Sequence, residues 1–308
     1  MVKLVFALML LTASPSQTAQ QMPDPDLLPT VEWLVDRTAS GVARWFRLPP
    51  PRENQQKVQA CEKLHADARL AGIEMLRIFW NDKLQKDAVA LFDSGDADIR
   101  LLAVETAGWL GRPRDRDTHE SLLLHLRDED RLVRQAVYAA IARINAEGAA
   151  DVLVTTLQFD DGKVNGQRAA LVRAIDSLGK PGIAKLLALA DSGEKKDTDL
   201  VAEVFVTMRT IAAADGLPEL LKNYHLSAEQ KQSLIRSLKN YPLDSRRLLG
   251  WLDSRDAAFR LGVIREIAER NVSAAIPRLE RLSREAADAA EAKAARQAIE
   301  NLRARQIK

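Results

Sequence analysis

The 308-residue sequence contains a single cysteine, few aromatic residues (5%) and little glycine (14) or proline (12). One cysteine excludes an intramolecular disulfide and any metal site built only from cysteines. The 45 basic and 43 acidic residues nearly cancel, so the net charge is +2. This balance gives no reason to expect a general polyanion binder, and we predict no nucleic-acid partner.

What the sequence has in quantity is helix-forming material. Hydrophobic residues make up 46% of the chain and charged residues 29%. That apolar fraction suffices for a packed core and excludes a wholly disordered chain. Abundant alanine, leucine, arginine and glutamate, with little glycine, predict an all-α protein.

Residues 1–19 have the order of a secretory signal peptide. A short basic start ending at Lys3 precedes an apolar run from Leu4 to Leu11, and small and polar residues follow as far as Ala19. The apolar run is about half the ~20 residues needed to span a bilayer. We therefore expect cleavage after Ala19 and a periplasmic or secreted mature protein; the alternative is an uncleaved N-terminal anchor.

Two further segments precede the repeats. Residues 20–29 hold three prolines and are predicted to form a linker. Residues 30–81 are predicted to form an N-terminal helical cap, whose first helix carries Trp33, Trp45 and Phe46 at helical spacing. That helix either covers the first repeat or docks on a membrane or partner, and it is the one place where we expect membrane contact.

From residue 82 to residue 308 the chain repeats itself. An Asp-x-x-apolar-Arg string begins at Asp96 and recurs at Asp130 and Asp256. Alignment of all copies on the arginine gives seven positions, 29–34 residues apart. They are Arg100, Arg134, Arg168, Ala202, Lys231, Arg260 and Ala292.

The positions three, four and seven residues after this column are apolar in nearly every copy, which predicts one buried helical stripe. A shorter apolar helix precedes each such helix, so we expect seven helix pairs. We expect the recurring aspartate at the N-cap of the second helix, and the recurring arginine in an ion pair with an aspartate of the adjacent turn. Both roles are structural, not catalytic.

These strings resemble HEAT repeats, most clearly over Asp96–Gly111, Asp130–Ile144 and Asp256–Ile267. The resemblance implies an all-α, right-handed α-α superhelix, a HEAT-like solenoid of about seven helix pairs behind the N-terminal cap. The copies at 198–212, 228–241 and 288–302 lack the aspartate or the arginine. The resemblance is specific for fold and unspecific for function.

The sequence offers no positive argument for catalysis or a cofactor. Nucleophile elbows, zinc-protease motifs, phosphate loops and the Cys-x-x-Cys-His haem motif are absent. Cys61 and His65 share a helix face, but two ligands are too few for a metal. Asp160 and Asp161 lack a calcium-loop pattern, so a turn between helices is the expected role. We predict no catalytic, cofactor-binding or metal-binding residues.

The outward face of the second helices is the better candidate for function. Five residues after the repeat arginine stand Glu105, Ala139, Arg173, Thr207, Arg236, Arg265 and Gln297. The arginines here and near this column suit carboxylate- or phosphate-bearing partners. The predicted partner-binding residues are Arg143, Arg173, Arg209, Arg236 and Arg265. The alternative is a solvated face balanced by Glu203, Glu266 and Glu269.

We therefore expect a non-enzymatic, extracytoplasmic scaffold that binds a protein partner along its concave face. One alternative is an enzyme of the HEAT-like lyase or glycosylase type, although no catalytic motif carries over and export argues against a DNA substrate. A weaker alternative is an accessory subunit of a periplasmic redox complex. It rests on the similarity of the shorter repeats to HEAT segments joined to c-type haem domains.

Overall fold

A computed structural model describes residues 80–160 and 166–306, together with Leu70, Ile73, Glu74 and Arg77. The predicted signal peptide, the linker and the helix bearing Trp33, Trp45 and Phe46 lie outside the described residues. So do Cys61 and His65. The division into signal peptide, linker, cap and repeats stays a prediction.

The described residues form an all-α fold of helices joined by turns and loops, with no β-strand among them, as predicted. Fourteen α-helices form seven consecutive pairs, the odd-numbered helix preceding its even-numbered partner. They are α1 (Asp82–Ala90), α2 (Ala97–Leu110), α3 (Arg116–Leu124), α4 (Arg131–Ile144), α5 (Ala149–Gln158), α6 (Gln167–Ser177), α7 (Lys180–Ala190), α8 (Lys195–Thr207), α9 (Ile211–Leu220), α10 (Ala228–Arg236), α11 (Ser245–Trp251), α12 (Ala257–Glu269), α13 (Ile276–Glu285) and α14 (Ala289–Gln306). Short 3-10 turns lie at Leu91–Asp93, Ser237–Asn240 and Ser273–Ala275.

The recurring aspartates begin the second helices, as predicted. Asp96 accepts from the backbone N–H of Asp98 at 2.8 Å. Asp130 and Asp256 do the same for α4 and α12, accepting at 2.7 Å and 2.8 Å from N–H groups of the first turn. Each carboxylate satisfies a donor that has no partner within the helix and lies at the positive end of the helix dipole.

The stripe predicted from the repeat columns is buried on α2, α4, α6 and α12. On α4, Val137, Tyr138 and Ile141 are fully buried. On α12, the equivalent Val263, Ile264 and Ile267 are at most 1% exposed. A helix pair of this size buries such a stripe only against its neighbours, which is why the pairs stack.

In three copies the recurring arginine joins one repeat to the next. Arg100 is buried on α2, donates to the Ser94 carbonyl of its own turn at 2.8 Å and pairs with Asp128 of the following turn at 2.9 Å. Arg260 repeats the arrangement on α12, donating to Ser254 and pairing with Glu291 at the start of α14. Arg168 on α6 pairs with Glu203 on α8 at 3.4 Å. We call this ion pair, between a repeat arginine and an acid of the following repeat, the arginine clamp.

The chain divides into two compact units, of which the first ends at Ala146 and the second begins at Glu147. In the described part of the first unit, α1 packs on α2, α3 on α4, and α2 on α4. The two second helices come closest at Gly108. A Cβ atom added there would lie 2.7 Å from the Cβ of Ala140 and 2.8 Å from its Cα.

Gly108→Ala is therefore expected to destabilise the protein by about 1–3 kcal/mol, because the new methyl group would meet backbone that cannot move alone. Urea unfolding of the full chain measures the effect. Gly250→Ala is the matched control: Gly250 is helical and exposed, and an added Cβ would meet nothing within 4 Å. Equal stability of the two variants would contradict the close approach of α2 and α4.

In the second unit the odd helices α5, α7 and α9 pack in series, and so do the even helices α8, α10, α12 and α14. Helix α6 packs on α5 and α7, and the Arg168–Glu203 pair connects it to α8. In this unit the helices α5, α7 and α9 thus form one packed series, and α8, α10, α12 and α14 form another. Within the described ranges, none of the helices has the length and apolar character that crossing a membrane requires.

Candidate protein-docking face

Three of the predicted binding arginines occupy equivalent places on second helices of the second unit. Arg173 lies on α6, Arg236 on α10 and Arg265 on α12. All three are exposed, as is Thr207, which holds the same position on the intervening α8. We call these four positions the arginine ladder.

Helix geometry explains why the ladder points outward. An α-helix turns about 100° per residue, so positions three, four and seven residues after the repeat column lie together and the fifth lies nearly opposite. The buried Val263 and Ile267 therefore fix the exposure of Arg265 on the same helix. Burial of the hydrophobic stripe is therefore what turns the ladder positions outward.

Two of the three acids that were candidates to neutralise this face have other partners. Glu203 pairs with Arg168 at 3.4 Å. Glu266 is only 7% exposed and pairs with Arg270 at 3.0 Å. Glu269, the third, is exposed. Among the described residues, Arg173, Arg236 and Arg265 have no ion pair or hydrogen bond from their side chains.

Arg209 lies outside the ladder, although the repeat alignment placed it near. Helix α8 ends at Thr207, and the Arg209 guanidinium donates to the carbonyls of Val206 (3.2 Å) and Met208 (2.7 Å). Met208, one position earlier, is the residue that is buried, at 1% exposure. Arg209 therefore satisfies carbonyls at the end of a helix, a role that the degenerate repeat concealed in the sequence.

Arg143 lies in the first unit and contacts an aromatic ring. Its guanidinium carbon is 3.9 Å from the ring centroid of Trp109, which is 40% exposed. Loss of water against the ring lowers the pKa of Arg143, and the nearby Glu105 partly opposes this change. The sequence analysis missed the pair, although Trp109 and Arg143 both stand nine residues after the repeat arginine on neighbouring second helices.

The described residues show other polar groups in structural roles. The Asp160 carboxylate pairs with Arg168 at 3.2 Å in the turn before α6. His119 is buried on α3, and burial lowers the pKa of its imidazole, which favours the neutral form. Within the described ranges, no group of three or more His, Cys, Asp or Glu residues is placed to hold a metal ion.

A polar cleft of about 240 Å³ lies in the first unit between α1 and α3. The Gln85 amide reaches across it to the hydroxyl of Thr118 at 2.9 Å and to the Asp115 carboxylate. Asp115 also accepts from Thr118 at 2.7 Å and caps α3. These hydrogen bonds hold the two first helices α1 and α3 together.

Comparison with known proteins identifies the repeat. Residues 87–172 match the family model described as HEAT repeats. A search of curated proteins found no match. Among solved structures, a crystal structure of an engineered protein is similar, with 19% identity, 73% of this chain and 98% of that chain covered, and a TM-score of 0.28. A TM-score that low carries no weight for the fold. Residues 87–172 therefore carry HEAT repeats, and the aspartate-capped helix pairs of the described residues are consistent with a HEAT-like helical solenoid.

Proposed function

We propose that this protein is an extracytoplasmic, non-catalytic scaffold that binds a protein partner on the exposed face of its second helices. HEAT repeats form helical scaffolds that commonly mediate contacts between proteins. The observation that carries the proposal is the arginine ladder, in which three guanidinium groups recur at one position while Glu203 and Glu266 pair elsewhere. The export signal predicted at residues 1–19 supports the location.

A ladder of unpaired arginines favours binding over folding as its role. Exposed charges on a helix add little to stability, and within the described ranges these three side chains make no ion pair or hydrogen bond that would order them. An arginine presents five N–H donors in a planar fork that fits a carboxylate on a partner. Shared position along stacked helices lets several weak contacts act on one ligand, as binding surfaces of repeat proteins do.

The first test removes the ladder. The triple variant Arg173→Gln, Arg236→Gln, Arg265→Gln is expected to keep the thermal stability of the parent and to lose at least tenfold in affinity for the partner. The partner is the protein that copurifies in fixed stoichiometry with the tagged full chain from its native host. Surface plasmon resonance of the purified pair measures the affinity.

A control with equal loss of charge makes the result specific. Lys180, Arg246 and Arg255 are exposed in the same unit and lie outside the second-helix face. The triple variant Lys180→Gln, Arg246→Gln, Arg255→Gln should bind as the parent does. Equal loss in both triple variants would mean a diffuse charge effect, and no loss in either would remove the ladder from the proposed function. Turnover of a substrate by the purified chain without a partner would contradict the non-catalytic assignment.

A further inference from the structure

We infer that the arginine ladder binds an acidic segment in the polyproline II conformation, with a carboxylate at every third residue. This inference rests on the proposed function and names the chemistry of the partner at that site. It starts from the spacing of the ladder. Because α8, α10 and α12 pack in series, Thr207, Arg236 and Arg265 recur once per helix, and packed helices lie about 8–10 Å apart.

Polyproline II is the extended conformation whose own repeat fits that distance. It has three residues per turn and rises about 3.1 Å per residue, so side chains on one face recur about every 9 Å. A β-strand places side chains on one face every second residue, about 6.6 Å apart. This distance is shorter than the spacing between ladder positions on successive packed helices. A segment with acids at its fourth and seventh positions would reach Arg236 and Arg265, with its first position opposite Thr207.

The charges favour carboxylates over phosphates. Each of the three arginine positions of the ladder holds one guanidinium, which matches one carboxylate in a bidentate pair. A nucleic-acid strand carries one charge about every 3.4 Å, so most of its phosphates would find no cation on this face. Glu203 and Glu269 flank the ladder and would repel the unmatched ones. An acidic protein segment with spaced charges avoids that repulsion.

Synthetic peptides test the period directly. The first peptide repeats Glu-Pro-Pro four times; the second and third carry four glutamates spaced by one and by three prolines. All are labelled at the N-terminus and titrated with the full chain, with fluorescence anisotropy as the readout. The three-residue period should bind at least tenfold more tightly than either alternative, and affinity should fall as salt is raised.

Variants locate the peptide on the ladder. Arg236→Gln should weaken the three-residue peptide at least fivefold, and the ladder triple variant should abolish binding. The control triple variant at Lys180, Arg246 and Arg255 should leave binding unchanged. Equal affinity for all three spacings would overturn the inferred conformation. Tighter binding of a peptide with phosphoserine in place of glutamate, by tenfold or more, would overturn the carboxylate assignment.

The peptide test and the partner test fail in different ways. If no peptide binds while the ladder triple variant still loses its cellular partner, the acidic polyproline II segment is wrong and the scaffold function stands. If the ladder triple variant keeps its partner as well, both are wrong. Circular dichroism melting of each variant shows that the fold is intact in either case.

Discussion

Asp128→Ala is expected to destabilise the protein by about 3 kcal/mol, the lower end of the range for breaking a buried ion pair. The side chains of Asp128 and Arg100 are only 5% and 7% exposed, and they form two hydrogen bonds of 2.9 Å and 3.0 Å. Removal of the carboxylate leaves a guanidinium that water reaches poorly. The turn lies near the protein surface, which limits the cost. Urea unfolding at pH 7 measures the change.

A neighbouring acid provides the control. Glu129 also contacts Arg100, at 3.3 Å, but its side chain is 86% exposed. Glu129→Ala should therefore stay within about 0.5 kcal/mol of the parent. The double variant Arg100→Met, Asp128→Ala should recover part of the loss, because it removes the unpaired charge. A loss for Glu129→Ala as large as that for Asp128→Ala would contradict the arginine clamp.

The same pair predicts a dependence on pH. Burial alone would raise the pKa of Asp128, but hydrogen bonds from Arg100 and from the backbone, with the charge of Arg100, give a net lowering. A carboxyl whose pKa is lowered in the folded state adds stability above its unfolded pKa, about 3.9, and loses it as the pH falls through the folded value. The difference between the parent and Asp128→Ala should therefore shrink below about pH 4.

Glu291→Ala is expected to cost about 3–5 kcal/mol, since it breaks the clamp between α12 and α14. The Glu291 side chain is fully buried and accepts two hydrogen bonds from Arg260, one of them 2.6 Å long. The hydrogen bonds that Arg260 donates to Glu291 raise the pKa of Arg260. The guanidinium is charged at neutral pH even without this partner, so Glu291→Ala leaves an unpaired charge. Thermal and urea unfolding both report the loss.

Glu300 on the same helix is the matched control. It is exposed, and Glu300→Ala should leave the urea midpoint nearly unchanged. Glu291→Gln should fall between the parent and Glu291→Ala, because the amide fills the site and keeps one acceptor. Equal midpoints for the parent and Glu291→Ala would show that the last two helix pairs do not depend on the clamp.

Much of the fold could be predicted from local pattern. Asp96, Asp130 and Asp256 precede helical stripes at fixed distance, and each is an N-cap because that role needs only a few adjacent residues. The sequence also predicted an ion pair between the recurring arginine and an acid of the adjacent turn. At Arg260, however, the partner is Glu291, a glutamate 31 residues away, since the last repeat lacks the usual turn.

What could not be predicted depended on where a helix ends and on which side chains meet across helices. The repeat alignment placed Arg209 near the outward-facing column of the second helices, but α8 ends at Thr207 and Met208 is buried. The contact between Trp109 and Arg143 joins residues 34 positions apart, and composition holds no sign of it. The exposure of Arg173, Arg236 and Arg265 followed from periodicity alone; whether they bind a partner stays a prediction.

Photo-crosslinking tests the central claim, that a partner docks on the second helices. Benzoylphenylalanine replaces Thr207 on α8 in one full-length variant and Ala188 on α7, an exposed first-helix position, in another. After irradiation in the native host, mass spectrometry maps the partner residues joined to each probe. We expect crosslinks at position 207 to an acidic segment, lost when Arg173, Arg236 and Arg265 become glutamine. Crosslinks from position 188 that survive those substitutions, with none from position 207, would contradict the account.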